Sequence, residues 1–316
     1  MSTTYDVLLW QTEASQLNQQ QAFLEDVRNG FSQKPYRLPS RWFYDEKGSE
    51  LFKKITELPE YYLTRSEREI LETHRRELAD FIGDQPFNLI ELGAGDGSKT
   101  RLLLDQFKDR TDFMYIPIDI SQTAVKKLLS RVEKDYPNLN GHGLIAEYRD
   151  GLSWVESRWT RRNVVLFLGS SIGNFEAQES SEFLRNLRSS LNPEDYVLIG
   201  FDLIKSESIL IPAYGDSRGV TAEFNLNLLA RINRQLGGEF DLSTFRHEAV
   251  FNSGQGAMES YLVSRQNQNV PIASLERAVS FEKDDAIHTE SSFKYTLGQI
   301  DELARQSGFN IKLNLM

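Results

Sequence analysis

Residues 87–100 read Phe-Asn-Leu-Ile-Glu-Leu-Gly-Ala-Gly-Asp-Gly-Ser-Lys-Thr, and this stretch decides the fold. An apolar run leads directly into Gly93, Gly95 and Gly97, and a helix is predicted to start near Ser98. Glycine has no β-carbon, so the backbone can turn sharply and approach a ligand, while the helix start presents free N–H groups. The stretch predicts a strand, a nucleotide-binding turn and a helix. Taken alone, it also fits a tight turn that binds nothing.

The spacing of these glycines indicates which cofactor the turn suits. Dinucleotide-binding turns favour G-x-G-x-x-G, in which the third glycine packs the helix against the strand beneath a pyrophosphate. Here the pattern is G-x-G-x-G, with Glu91 at the end of the strand. This arrangement resembles motif I of the class I methyltransferases. Their cofactor, S-adenosylmethionine, has an amino-acid tail and no pyrophosphate.

Polar side chains also follow two other predicted strands. Asp119 ends an apolar run and suits the hydroxyls of a ribose, because ligands bind outside the carboxyl ends of parallel strands. It fits equally well as a cap for the helix that begins near Ser121. Asn174 follows the apolar run 164–168, and its amide can bond both a carboxylate and an amine of a small substrate. Ordinary turn chemistry explains Asn174 as well.

Short apolar runs alternate with amphipathic stretches between residues 86 and 205. This order is typical of βαβ units and a parallel sheet covered on both faces. The predicted strands are 88–92, 113–118, 144–146, 164–168 and 196–201. We predict an α/β fold with a Rossmann-like, mostly parallel sheet of the class I methyltransferase type. A second, smaller α+β domain would bind the substrate.

Four segments are predicted to build the two domains. In order, they are an N-terminal helical part of the substrate domain (15–85), the cofactor domain (86–205), the rest of the substrate domain (206–285) and a return to the cofactor domain (286–316). The third segment holds a long helix over 218–236 and an antiparallel hairpin, which a strand over 277–281 extends. The last segment holds a helix over 297–307 and a final strand over 309–315.

Composition excludes several classes of function. The net charge is −10 and there is no long basic run, which argues against nucleic acid and anionic membranes as partners. The absence of cysteine excludes disulfides and thiolate chemistry. The four histidines have no metal-ligand spacing, so we predict no metal. The beginning of the sequence has no signal-peptide features, and we expect a cytoplasmic monomer.

Several blocks of sequence resemble the histidine Nα-methyltransferases of ergothioneine biosynthesis. The blocks are WFYDEKGSELF at 42–52, LPEYYLTR at 58–65, ELGAG at 91–95, FLGSSIGN at 167–174 and GVTAEFN at 219–225. They occur in order along nearly the whole chain, and several lie outside the cofactor motif, so they are more specific than motif I. Fungal dimethylallyltryptophan N-methyltransferases belong to the same wider family.

The resemblance implies three methyl transfers from S-adenosylmethionine to the α-amine of L-histidine, giving the betaine hercynine. It implies that an asparagine and a tyrosine, at Asn174 and Tyr214, hold the substrate carboxylate. It also implies that Tyr61 lies near the amine, with Tyr44 lining the same region. The imidazole would be held by a glutamate and a serine, at Glu290 and Ser292.

The candidate residues form two sets. The predicted cofactor residues are Glu91, Gly93, Ala94, Gly95, Gly97, Lys99, Asp119 and Ile120. The predicted substrate residues are Tyr61, Gly169, Asn174, Tyr214, Ser260, Glu290 and Ser292. Tyr44 and Tyr61 are the predicted catalytic residues. Without the resemblance, Glu290 and Ser292 would be interpreted as capping or strand-end residues.

The sequence departs from the family pattern at one substrate position. Ser260 corresponds to a methionine that contacts the substrate in characterised relatives. The acidic residue near the adenine is also open, because residues 147–150 permit more than one register. Three alternative functions remain: N-methylation of another aromatic amino acid such as tryptophan, binding of the cofactor or an amino acid without turnover, and oxidoreduction with a nicotinamide cofactor.

Overall fold

The computed structural model describes residues 3–8, 13–95 and 97–316. The strands are β1 (Thr4–Val7), β2 (Tyr36–Arg37), β3 (Phe87–Leu92), β4 (Phe113–Asp119), β5 (Asn140–Ile145), β6 (Arg162–Phe167), β7 (Tyr196–Ile199), β8 (Phe245–Asn252), β9 (Ala257–Ser264), β10 (Gln268–Ile272), β11 (Arg277–Phe281) and β12 (Ala286–Phe293). The helices are α1 (Glu13–Gly30), α2 (Glu46–Thr56), α3 (Tyr62–Ile82), α4 (Arg101–Phe107), α5 (Gln122–Asp135), α6 (Tyr148–Arg158), α7 (Ala177–Ser189), α8 (Glu207–Tyr214), α9 (Val220–Leu236) and α10 (Leu297–Gln306).

A parallel sheet forms the first half of the fold, in the order β1-β5-β4-β3-β6-β7. The central strand β3 is buried along its whole length. Leu89 packs into the core on one face and Ile90 into the core on the other, as the alternation of a strand requires. The α/β prediction is confirmed, and each of the five predicted strands is present. Chain order reverses between β4 and β6, on either side of β3, which opens a crevice at their carboxyl ends.

Strand β1 was not predicted. Its four residues pair in parallel with β5 and cover that edge of the sheet. Thr4 and Tyr5 are exposed, so the strand has no apolar alternation that would mark it in the sequence. Across the described segments, no helix has both the length and the apolar character that a membrane crossing requires.

A second core lies between a four-stranded sheet and four helices. The sheet order is β2-β12-β9-β8, and α1, α2, α8 and α9 contribute buried apolar side chains to the same cluster. Examples are Phe23, Leu51, Leu210 and Leu228. The N-terminal helices therefore share a core with the segment after residue 206, as predicted. The hairpin β8–β9 is also confirmed.

Three element predictions in the second half are wrong. Strand β12 pairs antiparallel with β9, so residues 286–293 belong to the four-stranded sheet and the chain returns to the first half only after Phe293. Strand β11 pairs with β10 in a separate hairpin instead of extending the sheet. Residues 309–316 form no strand. Phe309 and Leu315 instead pack their side chains against the two cores of the parallel sheet.

Helix α3 connects the two halves. Leu63, in its first turn, is part of the second core, whereas Leu71, Leu78 and Ile82 pack against the parallel sheet. The sequence assigned all of residues 15–85 to the substrate domain. The structure divides this segment within α3, because the apolar stripe of the helix contacts both cores.

Candidate active site

The glycine turn follows β3, as predicted, and adopts a left-handed backbone. The φ angles are 70° at Gly93, 53° at Gly95 and 66° at Gly97, and these values favour glycine. The Gly93 N–H donates to the carbonyl of Ile118 at 2.9 Å, which ties the turn to β4. A β-carbon at Gly93 would lie 2.7 Å from the Tyr148 hydroxyl, whereas one at Gly95 would meet nothing within 4 Å. The turn is thus packed from below and open at Gly95.

Asp119 ends β4 beside this turn. One carboxylate oxygen accepts the N–H of Gly95 at 3.1 Å, and the other accepts the N–H of Ser121 at 2.8 Å. Burial raises its pKa, and the backbone N–H donors oppose this shift. Ser121 caps α5, since its hydroxyl oxygen accepts the N–H of Ala124. The capping interpretation of Asp119 is therefore wrong.

Glu91 lies beneath the turn. It is buried, and its two carboxylate oxygens accept hydrogen bonds from the hydroxyls of Thr100 and Tyr115. Burial raises its pKa to about 7, and the two hydroxyl donors limit the rise. Glu91 therefore joins β3 to β4 and to the start of α4. Its contact with a cofactor stays a prediction.

The residues around the turn fit the nucleoside part of S-adenosylmethionine. Gly95 offers open backbone, Asp119 supplies a carboxylate that can accept ribose hydroxyls, and the side chain of Ile120 is exposed beside it for an apolar ring. Ala94 is buried within the turn. Asp96 lies outside the described residues.

An ion pair crosses the crevice above the parallel sheet. Lys99, just after the turn, pairs with Glu67 of α3. The Glu67 carboxylate also accepts the N–H of Gly169, the predicted substrate residue after β6, at 2.7 and 2.9 Å. Glu67 was not among the predicted site residues. No motif in the sequence marks it, because it is one of several charged residues along α3.

Aromatic rings line the side of the crevice formed by the second half. Tyr61 and Tyr214 meet edge to face with centroids 6.3 Å apart, and Tyr44 contacts Phe52 and Phe224 in the same manner. Burial raises the pKa of Tyr61 and Tyr214 well above the ordinary tyrosine value. Both side chains therefore keep their hydroxyl protons at neutral pH and act as hydrogen-bond partners, not as bases.

Tyr44 shares this crevice with the glycine turn. Desolvation raises its pKa well above the usual value, and the nearby Glu290, Tyr61 and Tyr148 add to the shift. Tyr148 is the residue that lies beneath Gly93. The predicted catalytic tyrosines, the predicted imidazole ligand and the cofactor turn are therefore electrostatic neighbours.

A buried ammonium group joins two of the predicted substrate residues. The Tyr214 and Ser292 hydroxyls are 2.8 Å apart, and the Lys294 ammonium donates to them at 2.7 and 2.8 Å. It also pairs with Asp202 at 3.0 Å. Burial lowers the pKa of Lys294, and Asp202 opposes this shift.

Lys294 and Asp202 were not predicted. Tyr62 donates to Asp202 at 2.6 Å, and Lys205 donates at 2.5 Å, so this carboxylate is surrounded by donors. Residues two apart in a strand share a face. The spacing of Glu290, Ser292 and Lys294 was therefore a signal that could have drawn attention to the lysine.

A β-bulge positions Glu290. The pairing of β12 with β9 shifts in register between His288 and Glu290, leaving Thr289 unpaired. The Thr289 hydroxyl donates to Asn225 of α9 at 2.7 Å, which anchors the bulge. Ser260, the predicted substrate residue on β9, is buried directly opposite Glu290.

Glu290 differs from the other carboxylates of the site. Burial raises its pKa to about 7, and the charge of Lys294 reduces the shift. Within the part of the chain that the structure describes, no hydrogen bond or ion pair engages its carboxylate. A ligand can therefore supply the missing donor.

Asn174 completes the crevice. It ends the turn Ser171–Asn174, and its side chain is exposed. The turn lies directly on β12: a β-carbon at Gly173 would come within 2.8 Å of the Phe293 carbonyl oxygen. No group of three or more metal-ligating side chains in residues 3–8, 13–95 and 97–316 could hold a metal ion.

Comparison with known proteins identifies the family. The family model of SAM-dependent, histidine-specific methyltransferases matches residues 23–314. The chain belongs to this family. It is 39% identical to the histidine N-alpha-methyltransferase of Mycolicibacterium smegmatis, over 87% of this chain and 85% of that protein.

Two more distant relatives of this histidine-specific methyltransferase are fungal. Ergothioneine biosynthesis protein 1 of Neurospora crassa is 32% identical over 80% of this chain and 30% of that protein. The 4-dimethylallyltryptophan N-methyltransferase of Claviceps purpurea is 26% identical over 90% of this chain and 88% of that protein. Proteins similar to this chain therefore have names that refer to different amino-acid acceptors.

Proposed function

We propose that the protein methylates the α-amine of L-histidine three times with S-adenosylmethionine, giving hercynine for ergothioneine biosynthesis. The observation that carries this proposal is the unengaged carboxylate of Glu290 beside the Ser292 hydroxyl, in a tyrosine-lined crevice that adjoins the cofactor turn. The histidine-specific family supports it. Action as a monomer in the cytoplasm stays a prediction from composition.

The hydrogen-bonding groups at Glu290 and Ser292 suit a neutral imidazole. An ionised carboxylate can only accept hydrogen bonds, so Glu290 accepts one from the N–H of the imidazole ring. Ser292 accepts from Lys294, which leaves the serine proton free to donate to the bare ring nitrogen or to Tyr214. One donor and one acceptor match a ring with one N–H and one bare nitrogen. A side chain without these groups would leave both protein groups unpaired.

The α-carboxylate and the α-amine need different partners. The Asn174 amide and the Tyr214 hydroxyl can donate to the carboxylate. Tyr61 and Tyr44 hold their protons, so their oxygens can accept an amine N–H and orient the nitrogen lone pair.

The transfer itself requires alignment above all. The bound methyl donor supplies an electrophilic methyl group on a sulfonium. The amine must first lose a proton to water or a nearby carboxylate. Its lone pair then forms the new N–C bond while the C–S bond of the methyl group breaks, and S-adenosylhomocysteine is the leaving group. The tyrosine oxygens can orient the amine in the first two transfers. The neutral dimethylated amine has no N–H, so the third transfer depends on the contacts to the carboxylate and the imidazole. No protein nucleophile is needed.

A mass-spectrometric assay tests the proposal. The purified protein is incubated with S-adenosylmethionine and a panel of amino acids that includes histidine, tryptophan and 4-dimethylallyltryptophan. We expect histidine to gain three methyl groups. Turnover of the tryptophans without turnover of histidine would contradict the proposed acceptor while leaving the methyl donor in place.

One observation favours a second candidate, N-methylation of another aromatic amino acid. Ser260 is buried opposite Glu290, and the resemblance places a methionine there in characterised histidine enzymes. The smaller side chain leaves more room beside the ring. Similarity to a 4-dimethylallyltryptophan N-methyltransferase agrees with this alternative, and the same panel distinguishes the two.

A further inference from the structure

Four segments meet at the Glu67 carboxylate. Glu67 lies on α3, its partner Lys99 follows the glycine turn, and the N–H of Gly169 donates to it from the end of β6. A β-carbon at Gly200, just after β7, would lie 2.1 Å from a Glu67 carboxylate oxygen. The carboxylate is therefore pressed onto the backbone at the carboxyl ends of β6 and β7. Its position is fixed by backbone contacts and does not depend on the lysine.

The ion pair is not sealed inside the protein. The side chains of Glu67 and Lys99 are 13% and 22% exposed. A β-carbon at Gly169 would lie 3.5 Å from the Lys99 ammonium, so the lysine also reaches the loop after β6. Both side chains thus retain some exposure, and Lys99 lies two residues after Gly97 of the glycine turn.

A carboxylate and an ammonium side by side form the complement of a zwitterion. The amino-acid end of S-adenosylmethionine carries one α-carboxylate and one α-ammonium at neutral pH. A charge-assisted hydrogen bond to each would replace the internal pair without leaving either protein charge unpaired. A nucleoside alone, which has neither charge, cannot do this.

We infer that Glu67 is a further cofactor-binding residue, and that Glu67 and Lys99 together form the subsite for the amino-acid end of S-adenosylmethionine. Lys99 binds the α-carboxylate, and Glu67 binds the α-ammonium. The N–H of Gly169 bonds the Glu67 carboxylate and Gly200 packs closely against it, so we expect the lysine to shift when the cofactor binds. This inference rests on the proposed function only in taking S-adenosylmethionine as the methyl donor, with Lys99 as one of its predicted binding residues.

Binding of cofactor fragments to Glu67→Gln tests the subsite. The dissociation constant is measured by calorimetry for S-adenosylhomocysteine, which has the whole amino-acid end, and for 5′-methylthioadenosine, which has none. We expect Glu67→Gln to raise the dissociation constant of S-adenosylhomocysteine about tenfold or more, because the ligand loses a charge-assisted hydrogen bond. The affinity for 5′-methylthioadenosine should stay the same.

Decarboxylated S-adenosylmethionine separates the two charges. It keeps the ammonium and lacks the carboxylate, so Glu67→Gln should weaken its binding as much as the binding of S-adenosylhomocysteine. Lys99→Met should weaken S-adenosylhomocysteine and have little effect on the decarboxylated ligand. This variant tests the same subsite if Glu67→Gln does not fold.

Glu72→Gln is the matched control. Glu72 lies on the same helix and pairs with Arg68 on the surface, so its removal should change none of the affinities. If Glu67 serves only to attach α3 to the sheet, Glu67→Gln will weaken all three ligands equally or none of them, and the inference is overturned.

This test and the test of the proposed function can fail separately. The amine acceptor is determined with the unaltered protein, whereas the subsite is determined from cofactor fragments with no acceptor present. A protein that methylated tryptophan instead of histidine would still show the fragment pattern if the subsite is correct.

Discussion

Lys294 has three N–H donors, and all three are used within the site. They go to Tyr214, Ser292 and Asp202. Because the two hydroxyls accept from the lysine, their own protons can be donated either between the two hydroxyls or to a ligand. A buried ammonium thus determines what the predicted substrate residues can offer.

We expect Lys294→Met to raise the KM for histidine about tenfold or more, because both hydroxyls lose a charged donor and can reorient. Binding of S-adenosylhomocysteine should change little. Steady-state kinetics and calorimetry measure the two effects.

Lys205→Met is the matched control for this prediction. Lys205 also pairs with Asp202 but has no described contact with Tyr214 or Ser292. Both variants should lose stability in urea, by about 3 kcal/mol or more for the fully buried Lys294. Only Lys294→Met should raise the KM. An equal rise in both would show that the lysines act through the fold alone.

Glu290 gives the site a pH dependence. Its pKa is raised to about 7, above the usual glutamate value, so the ligand-accepting carboxylate is lost as the pH falls through 7. The imidazole and amine of histidine also take up protons on acidification, so several protonation steps overlap in the pH profile of the unaltered enzyme. In Glu290→Gln the protonation step of residue 290 disappears. Below pH 6 we expect the slope of log kcat/KM against pH to be shallower by about one in this variant.

The same variant should also raise the KM for histidine strongly at pH 8 and leave cofactor affinity nearly unchanged. Loss of both affinities together would indicate damage to the fold. Identical slopes in the two proteins would show that another group causes the pH dependence.

At the scale of single residues, the sequence predicted which residues lie near the site better than it predicted what each of them bonds. The carboxylate at Asp119 was found, yet its neighbour Ser121 caps the helix. Glu91 bonds Thr100 and Tyr115, which the sequence did not reveal, and its contact with the cofactor stays a prediction. Such roles depend on partners from other elements, which spacing along one chain does not reveal.

At the scale of elements, contact between β12 and the turn Ser171–Asn174 aligns the two ends of the substrate site. Asn174 lies at the end of this turn, and Glu290 and Ser292 lie on the strand. Gly173 allows the close approach, since a β-carbon there would be 2.8 Å from a backbone oxygen of Phe293. Backbone cannot move aside as easily as a flexible side chain.

We therefore expect Gly173→Ala to separate the turn from the strand. The expected cost is about 1–3 kcal/mol in stability, with a raised KM for histidine because the carboxylate and imidazole partners shift apart. Chemical denaturation and steady-state kinetics measure the two effects. Gly298→Ala is the control, since a β-carbon there meets nothing within 4 Å. A normal KM in Gly173→Ala would show that this contact does not set the site.

The elements most reliably predicted were those whose pattern is local. The five strands between residues 86 and 205 and the hairpin β8–β9 have strong apolar runs and clear turns. Strand β12 alternates buried and half-buried residues, which marks a strand but not the sheet to which it belongs. Its bulge at Thr289 depends on a hydrogen bond to α9, far away in sequence.

At the scale of the whole molecule, two cores meet along α3. The helix begins with Leu63 in the second core and ends with Ile82 against the parallel sheet. Sequence composition predicted two parts and their order but could not locate a boundary inside a continuous helix. The amphipathic pattern is the same whichever core the helix covers.

This arrangement places both ligand sites on one helix. Tyr61 precedes its first residue, and Glu67 lies little more than one turn further on. We expect S-adenosylhomocysteine to tighten histidine binding about fivefold or more, because contacts that position α3 for one ligand also position it for the other. By reciprocity, histidine should tighten S-adenosylhomocysteine by the same factor. Calorimetric titrations in both orders measure it.

The amino-acid end of the cofactor is the part expected to transmit this coupling. 5′-Methylthioadenosine has no amino-acid end that could reach Glu67, so histidine affinity should be the same with and without it. Coupling by both ligands would assign the effect to the glycine turn, and coupling by neither would mean that the two cores order independently. Coupling by S-adenosylhomocysteine alone would make α3 the mechanical link between the two ligand sites.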